Sequence, residues 1–154
     1  MNIFIAQQYF GLGELQKAKE AYEEALKVYP NFQQALVGLS QVYAEAEKYE
    51  EAKNILKQAL EQNSESPEIW IRYIDAFKVK NSNVEEVKNL YEEALEKTGR
   101  YIDIITQAAV FYEQQKNFEK AITFWEEAGE KNPTSAELYK QEIARLKTVN
   151  SNKN

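Results

Sequence analysis

Apolar residues recur along this chain with the period of an α-helix, in two segments that repeat about every 34 residues. In the second repeat the first segment carries Leu36, Leu39 and Tyr43, and the next carries Leu56 and Leu60. Spacings of three, four and seven residues place such a set on one face of a helix, with polar residues on the other face. The pattern therefore predicts pairs of amphipathic helices.

A small apolar residue, an aromatic residue or leucine four positions later, and an alanine three positions beyond that recur four times. The four sets are Ala18, Tyr22 and Ala25; Ala52, Leu56 and Ala59; Val87, Tyr91 and Ala94; and Ala121, Trp125 and Ala128. Successive sets lie 34 or 35 residues apart. A fixed period of this length indicates a solenoid, in which each repeat stacks on its neighbours. We expect these residues to pack helix against helix.

The pattern also predicts the organisation of the chain, as a single solenoid over residues 1–149. Four repeats, at about 2–30, 31–64, 65–99 and 100–133, supply two helices each, and residues 134–149 form a capping helix. Leu138, Ile143 and Leu146 are expected to cover the last pair, because a terminal repeat otherwise exposes its apolar face. Residues 150–154 are expected to form a disordered tail.

Composition favours helices and removes several classes of function. The 154 residues include only five glycines and three prolines, which leaves long runs without a helix breaker. Cysteine and histidine are absent. The commonest zinc ligands and the commonest general base near neutral pH are therefore missing. We expect a non-enzymatic protein with no catalytic residue, no metal site and no cofactor.

The charge and the amino-terminal segment narrow the choice of partner. The net charge is −6, the pI is about 4.9, and the basic residues are scattered among acidic ones. Nucleic-acid binding draws its affinity from clustered Lys and Arg, so we expect no nucleic-acid partner.

The amino-terminal segment has neither the charged start of a signal peptide nor an apolar run long enough to insert into a membrane. We expect a cytoplasmic protein.

The repeat resembles the tetratricopeptide repeat, a helix-turn-helix unit of 34 residues. The matching positions are the four sets above, the small residues Ser40 and Ala109, and the closing prolines Pro30 and Pro133. The third repeat, with Trp70, Tyr73 and Phe77, also resembles the half-a-tetratricopeptide repeat. The resemblance implies an all-α, right-handed α-solenoid of about four helix-turn-helix pairs plus a C-terminal capping helix. It also implies a protein–protein interaction module that binds a peptide segment of a partner in its concave groove.

In this family the first helix of each pair lines the groove, so the resemblance assigns groove positions in every repeat. The candidate groove residues are Gln7, Phe10, Gln34, Val37, Gln41, Glu45, Ile71, Asp75, Lys78, Thr106, Val110, Glu113 and Gln114. Some relatives grip a carboxylate with Lys and Asn, but those places hold Ile3 with Gln7, or Val37 with Gln41. An extended or helical segment with apolar side chains and a basic one suits this groove better. The alternative is that the residues simply face solvent, as isolated exposed apolar residues often do.

The start of the first helix offers a second candidate surface. Ile3, Phe4 and Ile5 lie at the outer end of the array, where a repeat protein normally needs a polar face. These residues are candidates for self-association. A homo-oligomer formed through the amino-terminal end is therefore an alternative to the binding of a different protein. The alternative function is therefore a self-assembling or structural scaffold segment of a larger superhelix. Either hypothesis requires another protein chain as the partner, and the sequence does not identify it.

Overall fold

The computed structural model describes residues 3–79 and 83–151, which form nine α-helices and no strand. The helices are α1 Ile3–Gly11, α2 Leu15–Val28, α3 Gln33–Glu45, α4 Tyr49–Gln62, α5 Pro67–Lys78, α6 Val84–Lys97, α7 Ile102–Gln114, α8 Phe118–Lys131 and α9 Ala136–Ser151. A short 3₁₀ turn, Pro133–Ser135, precedes α9. The all-α fold of paired helices with a ninth helix at the end is confirmed. The predicted start of the first repeat, at about Asn2, lies outside the described residues.

The chain divides into two compact units, the first ending at Leu90 and the second beginning at Tyr91, within α6. In the first unit α1 packs on α2, α2 on α3, α3 on α4 and α4 on α5, and α1 also contacts α3. In the second unit α7 packs on α8, and α8 on α9. From α1 to α5 and from α7 to α9, helices that follow one another in sequence are therefore neighbours. The single solenoid over residues 1–149 stays a prediction.

The recurring sets form the core of the helix pairs. Every member of the four sets is buried, and Ala18, Ala52, Ala94, Ala121 and Ala128 have no exposed surface. In the first unit the core also includes Ala6, Ala35, Leu39 and Val42. The predicted packing role of these residues is confirmed. The small side chains let neighbouring helices approach, while the aromatic ones supply most of the buried apolar area.

The turn inside each described helix pair uses one residue in the left-handed region. Gly13 (φ 73°), Glu47 (φ 58°) and Lys116 (φ 60°) hold equivalent positions in their repeats. The N–H of the next residue then donates to a carbonyl five residues back, which closes a Schellman motif. These bonds join Glu14 to Tyr9 at 2.9 Å, Lys48 to Tyr43 at 2.8 Å and Asn117 to Tyr112 at 2.9 Å. The matching turn of the third pair includes residues outside the described part of the chain.

In the capping helix α9, Leu146 packs as predicted and Leu138 does not. Leu146 is fully buried, but Leu138 is 59% exposed, so its predicted covering role is wrong. The ring of Tyr139 takes that place, stacked on Trp125 at a centroid distance of 5.5 Å. Tyr139, Ile143 and Leu146 have the i, i+4, i+7 spacing of one helix face, whereas Leu138 is rotated by about 100° from it.

The predicted tail begins too early. Asn150 and Ser151 belong to α9, so the prediction is wrong for these two residues. The hydroxyl of Thr148 donates to the carbonyl of Ala144 at 3.0 Å, and that of Ser151 donates to the carbonyl of Lys147 at 2.8 Å. Polar side chains can bond back to the preceding turn in this way and so stay within a helix. The rest of the predicted tail, residues 152–154, lies outside the described residues.

Candidate functional site

One cleft in the first unit runs along the first helices of the first two pairs. It has a volume of about 230 Å³ and is lined by residues of α1 and α3, together with Tyr22 of α2 and Glu68 of α5. Five predicted groove residues, Gln7, Phe10, Gln34, Val37 and Gln41, lie together in its wall, with Gln33 beside them. We call this site the glutamine cleft, after its four glutamines.

Hydrogen bonds hold two of these glutamines at the edge of the cleft. Oε1 of Gln33 accepts from Nδ2 of Asn63 at 3.0 Å. With the amide oxygen of Gln41 turned toward Arg72, that oxygen accepts from Nη1 at 2.7 Å and from Nη2 at 2.8 Å. Nε and Nη2 of Arg72 also donate to Oε1 of Glu68, both at 3.3 Å. The side chains of Gln7 and Gln34 are exposed to solvent.

Apolar groups complete the wall of the cleft. Val37 lines the cleft although it is only 8% exposed, and Phe10 is half-buried against the core. Tyr22 and Gly38 also line the cleft, although no site role was predicted for either from the sequence. Burial raises the pKa of the Tyr22 phenol above its ordinary value.

Gly38 is required by the close approach of Tyr22. A Cβ atom built on Gly38 would lie 2.3 Å from Cζ and 2.6 Å from the hydroxyl oxygen of Tyr22. A glycine inside a helix costs about 0.5–1 kcal/mol relative to alanine, so its presence in the middle of α3 indicates a packing constraint. A glycine within a predicted helix is therefore the feature of the sequence that could have identified this part of the cleft.

The other predicted groove residues of the first unit are spread along α3 and α5. Glu45 is exposed at the end of α3, and Ile71 is half-buried on α5. Lys78 and Asp75 are exposed and form an ion pair with each other at 3.0 Å. Asp75 lines a second cleft, which also includes Gln41. The structure therefore brings Gln41 and Asp75 together, while Glu45 and Ile71 line neither cleft.

In the second unit, α7 carries the four predicted groove residues of the fourth repeat. Thr106, Val110, Glu113 and Gln114 are separated by four, three and one residues, which places them along one stripe of the helix. Val110 is 43% exposed and Gln114 is exposed. The hydroxyl of Thr106 donates to the carbonyl of Asp103 at 3.0 Å.

The capping helix engages one residue of this stripe. Nη2 of Arg145 donates to Oε1 of Glu113 at 2.7 Å and to Oε2 of Glu142 at 2.7 Å. Hydrogen bonds to Glu113 and then to Glu142 raise the pKa of the Arg145 guanidinium. Glu113 is therefore part of an ion pair across α7 and α9, a contact that the sequence analysis did not predict.

The amino-terminal residues divide between the core and the surface. Ile3 is partly buried against the core of the first unit, and its part in self-association stays a prediction. Ile3, Ala6 and Phe10 share the inward stripe of α1 by their spacing of three, four and seven residues. Phe4 and Ile5 are 59% and 49% exposed. Self-association through these two residues stays a prediction.

Two sequence models of one family match this chain. Both describe the tetratricopeptide repeat, one over residues 9–72 and the other over residues 106–135, and together they span more than half of the sequence. The chain is a tetratricopeptide repeat protein. The first match contains the glutamine cleft except for Gln7, and the second contains all four predicted groove residues of α7 together with α8.

Solved tetratricopeptide repeat structures share this fold. The crystal structure of MamA has a TM-score of 0.75 at 20% identity, with 98% of this chain and 86% of MamA covered. PilF of Pseudomonas aeruginosa has a TM-score of 0.74 at 20% identity, with 97% of this chain and 68% of the PilF chain covered. YrrB, a tetratricopeptide repeat protein with an unusual peptide-binding site, has a TM-score of 0.67 at 20% identity, with 97% and 76% covered.

As a tetratricopeptide repeat protein, the chain is a protein–protein interaction module of a class that is typically a non-catalytic scaffold. Within residues 3–79 and 83–151, no three His, Cys, Asp or Glu side chains are grouped so that they could hold a metal ion. None of the described helices has the length and apolar character needed to cross a membrane.

Proposed function

We propose that this tetratricopeptide repeat protein binds an extended segment of a partner protein in the glutamine cleft. The observation that carries this proposal is the meeting of Gln7, Gln34 and Gln41, from two different helices, around one cleft. Two of the three, Gln7 and Gln34, are exposed to solvent, so burial of their side chains does not explain their position at this concave surface. Their common feature is the capacity to form hydrogen bonds with a ligand.

The chemistry of the cleft fits a peptide main chain. The exposed amides of Gln7 and Gln34 each offer a donor and an acceptor, which complement the N–H and C=O groups of an extended segment. Gln33 and Gln41 are already oriented by Asn63 and Arg72, which reduces the entropy lost on binding. Phe10 and Val37 supply apolar contacts between the amides. The similarity to YrrB, which has a peptide-binding site, supports a ligand of this class.

The net charge of the protein also indicates which charge its partner carries. The protein has a net charge of −6 at pH 7, and Glu68 lies at the edge of the cleft. A field of this sign speeds the approach of cationic partners and repels anionic ones. We therefore expect a partner segment with basic residues beside its contact residues.

The test is a selection from a phage-displayed library of random peptides, followed by calorimetric titration of the enriched sequences. Gln7→Ala combined with Gln34→Ala removes the two exposed amides of the cleft. Each lost hydrogen bond is worth about 0.5–1.5 kcal/mol, so the double variant should bind the selected peptides about tenfold more weakly.

Gln8 and Gln62 provide a matched control, since both are exposed helical glutamines outside the cleft. The Gln8→Ala, Gln62→Ala variant should bind like the wild type. Equal loss of affinity in the two double variants would contradict the proposal, as would selected peptides that bind the Gln7→Ala, Gln34→Ala variant at full strength.

A further inference from the structure

A second cleft in the first unit lies between α3, α4 and α5 and has a volume of about 190 Å³. Its walls are mainly apolar, with Ala44, Ala52, Leu56, Ala76 and Val79 among the lining residues. We call it the apolar cleft. It adjoins the glutamine cleft, because the side chain of Gln41 lines both.

The apolar cleft exists because the chain places small side chains where the other repeats place large ones. Ala76 occupies the repeat position held by Val42 and Phe111, 34 residues before it and 35 residues after it. Val42 packs in the core with Tyr22, and the ring of Phe111 lies 5.2 Å from that of Tyr91.

The opposite wall of the apolar cleft also carries a smaller side chain than the other repeats have there. Leu56 occupies the position held by Tyr22, Tyr91 and Trp125 in the other repeats. At the interface between the second and third repeats, Ala76 therefore faces Leu56. The equivalent interfaces have a larger side chain on each side, Val42 with Tyr22 and Phe111 with Tyr91. Protein interiors are normally packed to the density of organic crystals, so the missing volume is a local departure from the repeat pattern.

The polar groups at the edge of the apolar cleft already have partners. Arg72 is bonded to Glu68 and Gln41, Asp75 is paired with Lys78, and the hydroxyl of Ser40 donates to the carbonyl of Val37 at 2.7 Å. A buried water needs two to four polar partners, which apolar walls do not offer. The space suits an uncharged, apolar occupant.

We infer that the apolar cleft is a binding pocket for one large apolar side chain, of about phenylalanine size, carried by the partner segment that occupies the glutamine cleft. The inference rests on the proposed function. An apolar cavity of about 150 Å³ is sufficient to bind benzene, so the size of this cleft admits an aromatic ring. The protein itself places a phenylalanine at the equivalent position in the fourth repeat, which indicates the class of side chain that fits.

The inference is tested without a partner protein, by titrating the N-acetyl amides of phenylalanine, leucine and alanine into ¹⁵N-labelled protein. The phenylalanine amide should shift the backbone resonances of Ala52, Leu56 and Ala76, and the affinity should fall in the order phenylalanine, leucine, alanine. Ala76→Val fills the pocket with the side chain that the second repeat carries at this position, and should weaken binding at least tenfold.

Ala144→Val on α9 is the matched control, since Ala144 is an exposed helical alanine outside the cleft, and it should leave the titration unchanged. If Ala76→Val does not fold, Leu56→Phe fills the pocket from the opposite wall. Wild-type protein whose resonances stay unshifted up to the solubility limit would overturn the inference. Equal binding by the filled variant would overturn it as well.

The same variants separate this inference from the proposed function. Peptides selected on wild-type protein should contain a recurrent large apolar residue, and Ala76→Val protein should select peptides without it. Selected peptides that depend on Gln7 and Gln34 but show no apolar preference would overturn the pocket and leave the proposed function standing. A pocket that binds the phenylalanine amide, in a protein that selects no peptide, would overturn the proposed function and the assignment of the side chain to a segment in the glutamine cleft. Only the preference of the pocket for a large apolar group would then stand.

Discussion

Tyr22 shows how one residue links the core of the first unit to its candidate site. The side chain is 2% exposed, and its ring lies against the backbone of Gly38, where a Cβ atom would clash. The same residue lines the glutamine cleft. The approach of α2 to α3 is therefore set by a tyrosine ring resting on a glycine, and this contact shapes one wall of the cleft.

Burial of Tyr22 predicts a loss of stability at alkaline pH. The pKa of its phenol is raised in the folded protein, whereas the unfolded chain should have the ordinary value of about 10. Above that value the folded state binds more protons than the unfolded state, so the free energy of unfolding falls as the pH rises. Tyr22→Phe lacks this ionisation. The stability of the wild type relative to Tyr22→Phe should be constant from about pH 7 to 9 and should decrease above about pH 10.

Urea unfolding followed by circular dichroism at several pH values measures both proteins. The other tyrosines are common to the two, so their ionisation cancels in the difference. A difference that stays constant above about pH 10 would contradict the predicted burial of the phenol.

At the scale of the element, the described turns inside the helix pairs share one backbone geometry, although different residues adopt it. Gly13, Glu47 and Lys116 all have a positive φ, although only glycine adopts it without steric cost. The glycine at position 13 can be compared with Gly11, at the end of α1, which has no positive φ. A Cβ atom at either position would meet no atom within 4 Å, so a substitution there tests the backbone alone.

We expect Gly13→Ala to lower the free energy of unfolding by about 1 kcal/mol, because alanine is strained in the left-handed region. Gly11→Ala should raise it by about 0.5 kcal/mol, because alanine loses less conformational entropy in a helix. Chemical denaturation of the two variants gives both values. Changes of the same sign would contradict the assignment of left-handed geometry to Gly13 and helical geometry to Gly11.

The elements also show what the sequence can and cannot predict. Helix pairs and buried sets follow from the period of 3.6 residues, whereas the assignment of Gln7, Gln34 and Gln41 to a groove came from the resemblance to the tetratricopeptide repeat. The error at Leu138 arose because a leucine and a tyrosine stand side by side in α9, and only the packing on Trp125 shows which one faces inward. The clefts depend on distances between helices, as at Gly38 and Tyr22, which a period along one helix does not contain.

At the scale of the whole molecule, the described contacts join helices that are adjacent in sequence, with α1 also touching α3. In such arrays, stability is approximately a sum over repeats and their nearest-neighbour interfaces. A change in one helix should therefore affect its neighbours and leave distant repeats unaffected. Leu146 in α9 is a suitable probe, because its side chain is fully buried while Leu138 in the same helix is 59% exposed.

We predict that Leu146→Ala will destabilise the packing of α9 on α8, by about 2–5 kcal/mol for a buried leucine, and that this effect will remain local. Hydrogen exchange measured by mass spectrometry should become faster in α8 and α9 and stay unchanged in α1 to α4. Leu138→Ala should change the free energy of unfolding by no more than about 0.5 kcal/mol. If Leu146→Ala instead accelerates exchange equally in all these helices, the chain unfolds as a single cooperative unit. In that case the nearest-neighbour description does not apply to this protein.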